Sequence, residues 1–135
     1  MRGLVFASFL LVAGCDTSGI DAAPFTETLI VEIENETVLR LTTDGAPGCM
    51  TPMVVQTGAT SDGMDVDVLG LELAEGVVCL GIIPSTWTTT LPEFEDSLEL
   101  AILHRGETDL YVIRDMPGGR QLVAVRTSST RPGPR

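Results

Sequence analysis

From Thr26 onward, apolar and polar positions alternate. Leu29, Val31 and Ile33 share one parity and Glu32 and Glu34 the other, the period of a strand with one buried face. Leu39 and Leu41 flank Arg40 in the same way, and Glu34-Asn35-Glu36 reads as the turn of a first hairpin. Thr43 to Gly48 is rich in Asp, Gly and Pro, the residues that supply turn dihedrals. A short strand over Met53 to Thr57 and a turn over Gly58 to Gly63 come next. In the strand that follows, Val66 and Val68 are expected inward and Asp65 and Asp67 outward. At Leu71 and Leu73 the alternation has slipped by one, so a bulge is expected near Leu69-Gly70.

Val77 to Ile83 is apolar at both parities and reads as a central strand. Pro84-Ser85 breaks it, and Thr86 to Leu91 resumes with strong strand formers. Leu98, Leu100 and Ile102 mark another amphipathic strand, which turns at His104-Arg105-Gly106-Glu107 and returns antiparallel through Leu110 to Ile113. Met116-Pro117-Gly118-Gly119 is the last tight turn before Gln121 to Arg126. Residues 128–135, made of Ser, Thr, Arg, Pro and Gly, read as a disordered tail. Seven to nine short strands at close spacing predict an all-β chain whose residues 26–127 form an antiparallel β-sandwich, with a small β-barrel as the alternative. Thr108-Asp109-Leu110-Tyr111 resembles the tyrosine corner of immunoglobulin-like domains. Element count and length are similar to theirs too, which implies a generally immunoglobulin-like architecture.

The N-terminus follows another rule. Met1-Arg2-Gly3 precedes a short apolar run, Leu4 to Ala13, too short to span a bilayer, which takes about 20 residues. A basic start, an apolar segment and small residues at its end are the parts of a secretion signal. Its close, Leu11-Val12-Ala13-Gly14-Cys15, resembles the lipobox of bacterial lipoproteins. The resemblance implies that residues 1–14 are a signal helix removed by cleavage. It also implies that Cys15 receives diacylglycerol and a further acyl chain such as palmitate, making the lipid bilayer the first partner. Two or more chains hold a protein on a membrane almost permanently, so the fold needs no membrane-binding surface of its own. Residues 15–25 then read as the lipidated Cys and a flexible tether. Asp16 resembles the retention signal that keeps lipoproteins on the periplasmic face of the inner membrane, with the outer membrane as the alternative.

Charge narrows the partners. The net charge is −11, there is no lysine, and all eight basic residues are Arg. Such a chain repels nucleic acid and anionic headgroups. With Cys15 lipidated, Cys49 and Cys79 are an even pair in an oxidising compartment. A disulfide between them closes a 31-residue loop, for which chain entropy gives about 3.7 kcal/mol. There is no Cys-x-x-Cys spacing, which argues against a redox or metal pair.

Little else points to chemistry. His104 is the single histidine, lies in a predicted turn and is expected to be exposed rather than catalytic. Met50 and Met53 beside Cys49 suit cuprous ion by type, but a blue-copper centre needs two histidines, so core packing is the expectation. Asp62, Asp65 and Asp67 are the candidate calcium ligands, without the spacing of a known calcium loop. Alternate acids on a strand usually mark its solvent face. Asp115 to Arg120 lacks a phosphate loop's Gly-Lys-Ser element. The expectation is therefore a membrane-anchored, non-enzymatic binding or structural module of the cell envelope, with an envelope protein as partner and no cofactor beyond the lipid. A calcium- or ligand-binding periplasmic protein is the alternative.

Overall fold

The computed structural model describes residues 22–45, 51–72 and 83–134. Ten strands account for most of them, and no described residue is helical. They are β1 (Ala22–Ala23), β2 (Leu29–Glu34), β3 (Val38–Thr43), β4 (Met53–Ala59), β5 (Gly63–Glu72), β6 (Thr86–Thr90), β7 (Ser97–His104), β8 (Glu107–Met116), β9 (Gly119–Arg126) and β10 (Thr130–Pro132).

The larger sheet runs β4-β5-β7-β8-β9, with β1 on the far end of β5 beside β7; the smaller runs β10-β2-β3-β6. Both have two edges, so the fold is a β-sandwich and not a barrel. Its core is where the predicted inward parities meet. Leu29, Val31, Leu39 and Leu41 come from the smaller sheet, facing Val66, Leu100, Ile102, Tyr111 and Ile113 of the larger, and each of these is at most 1% exposed. Burying one such side chain contributes about 1.5–3 kcal/mol.

Three expectations are corrected. The sandwich is mixed, since β5 runs parallel to β7 and β10 parallel to β2. The stretch read as a disordered tail from residue 128 is ordered through its described residues 128–134: β10 pairs with Leu29 to Val31, and Ser129 and Thr130 are buried. The stretch read as tether up to residue 25 also ends inside the body, because Ala22 and Ala23 pair with Glu72 and Leu71 and Phe25 is buried. In each case the partner is remote in sequence, and local composition carries no trace of it.

The bulge near Leu69-Gly70 is present. Val54 opposes Gly70 and Val55 opposes Val68, leaving Leu69 as the extra residue. Gly70 has φ +150°, and a Cβ there would lie 2.4 Å from the Ala23 carbonyl oxygen. Only glycine lets β1 approach so closely. Both predicted hairpins form, the first with a three-residue turn between Glu34 and Val38 and the second with a two-residue turn between His104 and Glu107. Asn35 and Glu36 take φ 48° and 63°, and Arg105 and Gly106 take 55° and 74°, the left-handed pair that matches strand twist. The Val77–Ile83 strand falls almost wholly outside the described residues; Ile83, at its end, is 46% exposed.

Candidate functional site

The most elaborate polar arrangement sits at one end of the sandwich. Strand alternation turns Asp109, Tyr111 and Ile113 of β8 inward, so a carboxylate enters the core at 0% exposure. Asp109 Oδ1 accepts the Ser128 N–H and the Ser128 hydroxyl, both at 3.0 Å. Oδ2 accepts the Ser129 N–H at 3.0 Å, the Thr130 N–H at 2.7 Å and the Thr130 hydroxyl at 2.6 Å. Tyr111 then donates its O–H to Thr130 Oγ1 at 2.6 Å, since that hydroxyl's own proton is committed to Asp109. Burial pushes the Asp109 carboxyl upward, but the bonds from Thr130 and Ser128 outweigh it and hold the pKa below the ordinary carboxylate value. Burial raises the Tyr111 phenol, and the Asp109 charge adds to the rise. A carboxylate with both oxygens filled has no lone pair left for substrate or metal. It acts as a clamp that fixes β10.

His104 is not an exposed turn residue. It closes β7 with the same inward parity as Leu98, Leu100 and Ile102, and only 2% of it meets solvent. Its ring lies 4.7 Å from Phe25, tilted 39°. Nε2 donates to the Glu27 carbonyl at 2.8 Å, which requires the proton on Nε2. Burial lowers its pKa, against the Glu27 hydrogen bond that raises it; Arg105 lowers it further, while the Asp109 and Glu27 charges oppose. The neutral imidazole is therefore a packing group. Arg105 fastens the same segment by donating to the Thr26 carbonyl.

The aspartates read as calcium candidates do not converge. Asp65 and Asp67 stand on the outer face of β5, alternating with the buried Val66 and Val68. Asp62 instead lines an open groove of about 650 Å³ with Glu93, Glu95, Asp96 and Glu99. Among the described residues no three His, Cys, Asp or Glu side chains gather as a metal set. Met53 is buried in the core as expected. Cys15, Cys49, Met50 and Cys79 lie outside the described residues.

A second groove, also about 650 Å³, opens where the sheets part between β2 and β9, and sequence reasoning missed it. Ile33 and Leu122 form its apolar part, with the Arg40–Glu34 ion pair at its side. Arg120 is already engaged there, 4.2 Å over the Phe94 ring and donating to the Glu36 carbonyl at 2.6 Å. No short motif could have announced this site, because its walls come from strands some ninety positions apart. The Asp109 clamp did leave a signal: an acid at an inward parity beside Tyr111 and Ile113.

Comparison with protein-family models, with curated proteins and with solved structures finds no match to this chain.

Proposed function

We propose that the chain is a bacterial envelope lipoprotein, anchored through acyl chains on Cys15, whose β-sandwich is a non-enzymatic binding or structural module. The observation that carries the non-enzymatic part is the state of His104. The single histidine is buried, and its Nε2 proton is held by a backbone carbonyl, whereas a general base must reach the proton it abstracts. The other inward ionisable groups, Asp109 and Tyr111, are occupied in the clamp. The anchor rests on the Leu11-Val12-Ala13-Gly14-Cys15 motif, and placement on the periplasmic face of the inner membrane on Asp16.

The Cys49–Cys79 disulfide belongs to the same proposal. In its support, the described ends of both cysteine-bearing segments meet. Ser85 donates its hydroxyl to the Thr51 carbonyl at 2.7 Å, and the Glu72 N–H donates to the Pro52 carbonyl at 2.9 Å. Thr51 is two residues after Cys49 and Ser85 six after Cys79, a separation that chain at about 3.3 Å per residue can close.

Mass spectrometry of the mature N-terminus tests the anchor: a lipid-modified Cys15 is expected as the first residue, and Cys15→Ser should leave the precursor uncleaved. An unmodified thiol at Cys15 in membrane-derived protein overturns it. Thiol titration of the unfolded, unreduced chain should find no free sulfhydryl, and two would remove the disulfide. Calcium titrated into the protein is expected to give neither heat nor a shift in thermal midpoint.

A further inference from the structure

One row of the larger sheet's outer face reads acid, apolar, apolar, base. Asp65 of β5 pairs with Ala101 of β7, Ala101 with Leu110 of β8, and Leu110 with Arg126 of β9. Directly paired residues share a face, so these four stand side by side across four strands. Asp65 and Arg126 are exposed, while Ala101 and Leu110 are half-buried. The row spans about 14 Å, three strand spacings.

The rows on either side extend the same division. Leu103, 38% exposed, pairs with Asp67 on one flank, and Val112 pairs with Glu99 and Val123 on the other. Apolar side chains thus form a diagonal with acids of β5 and β7 on one side and Arg126 of β9 on the other.

From this pattern we infer that the outer face of the larger sheet binds a second copy of this chain about a two-fold axis. The axis lies in the interface, along the strands and between β7 and β8. Rotation about it sets the central row against its own reverse, so that Asp65 meets the partner's Arg126, Ala101 meets Leu110, and the pairs repeat on the other side, while the flanking row sets Glu99 at the rim against Val112. An isologous interface demands such self-complementarity. Sheets packed face to face stay within about 30° of each other, which keeps the rows opposed. A protein with this net charge repels its own copies, so the two Asp65–Arg126 contacts are what make the approach favourable. The inference is independent of the lipid anchor and names the partner of the proposed module as the chain itself.

Sedimentation equilibrium of the full chain in density-matched detergent, over a wide concentration series, is the test. The wild type should show a monomer–dimer equilibrium. Asp65→Arg or Arg126→Glu alone places like charges opposite each other and should weaken it about tenfold or more. The double variant restores opposite charges in exchanged positions and should recover most of the affinity. Both side chains are exposed, and the neutral variants Asp65→Asn and Arg126→Gln, which should give intermediate weakening, cover any reversal that fails to fold. A wild type that stays monomeric throughout overturns the inference, as does a dimer indifferent to both reversals or a double variant no better than either single one.

Discussion

Asp109 and Thr130 are joined twice, by the backbone N–H at 2.7 Å and by the hydroxyl at 2.6 Å, both onto the same carboxylate oxygen. Asp109→Ala removes that oxygen and its twin while Ser129 and Thr130 stay buried, stranding their N–H groups. Each hydrogen bond to a charged group contributes about 1.5–3 kcal/mol. Urea unfolding at neutral pH should therefore show a loss of about 3 kcal/mol or more, and a loss under about 1 kcal/mol would refute the clamp. The pH dependence has a definite sign. The folded carboxyl titrates below its ordinary value of 3.8, so its contribution is complete above that pH and disappears as pH falls through the folded value. The Asp109→Ala variant should lack this part of the acid transition.

The neighbouring hydroxyl behaves in the opposite way. Ser129 is fully buried, yet its Oγ has no hydrogen-bond partner among the described residues, and a buried unpaired hydroxyl is destabilising. Ser129→Ala should be neutral or raise the thermal midpoint. Thr130→Val, one residue on, strands both the Tyr111 proton and an Asp109 lone pair, and should cost about 1–3 kcal/mol in chemical denaturation.

His104 predicts a second pH dependence, at milder pH. Its folded pKa lies below the ordinary 6.5, so on acidification the unfolded chain takes up the proton first. The histidine's contribution is complete above 6.5 and lost as pH falls through the folded value. The groups facing it are Arg105, which favours this shift, and Asp109 and Glu27, which oppose it. Urea unfolding free energies at about pH 7.5 and about pH 5.5 should differ less for His104→Phe than for the wild type. An equal difference would place the titration elsewhere.

Two glycines in adjacent strands separate steric need from mere presence. At Gly70 an added Cβ meets the Ala23 backbone, at φ +150°; at Gly58 it meets nothing within 4 Å. Gly70→Ala should lower stability by about 1–3 kcal/mol, and hydrogen exchange should show β1 released. Gly58→Ala should stay within about 0.5 kcal/mol of wild type.

The β-sandwich was legible in the alternation of β2, β3, β5, β7 and β8, because burial on one face writes period two into the sequence. The bulge at Leu69-Gly70 was legible for the same reason, as a slip in that period. His104 shares the inward parity of Leu98, Leu100 and Ile102, but a polar residue directly before Arg105-Gly106 reads as part of the turn rather than as the last core position of β7. Asp62 is close to Asp65 and Asp67 in sequence, but the turn of the chain sends it to a groove away from the outer face of β5. The parallel pairing of β5 with β7 and of β10 with β2 was not legible: residues such as Thr130 and Leu29 meet across a hundred positions, with no local signature.

Residues 128–135 give the sharpest contrast between composition and role. Nothing in Ser128 to Arg135 is apolar enough to announce burial, yet Thr130 to Pro132 form the edge of the smaller sheet, the Leu29 N–H donates to the Ser129 carbonyl at 3.2 Å, and the Gly133 N–H to the Val31 carbonyl at 2.9 Å. A dispensable tail could be removed at almost no cost. Here its removal leaves the Asp109 carboxylate without donors, the Tyr111 hydroxyl without an acceptor and the outer side of β2 open at Leu29 and Val31. An uncompensated buried charge alone is worth about 3–5 kcal/mol, a large fraction of the stability of a domain this size. Truncation after Thr127 should therefore abolish the cooperative thermal transition or lower its midpoint steeply. Adding Asp109→Asn and Tyr111→Phe to the truncated chain should recover part of the loss, because the first removes the stranded charge and the second the stranded hydroxyl. A truncated chain as stable as the full one would show that β10 contributes nothing to the sandwich.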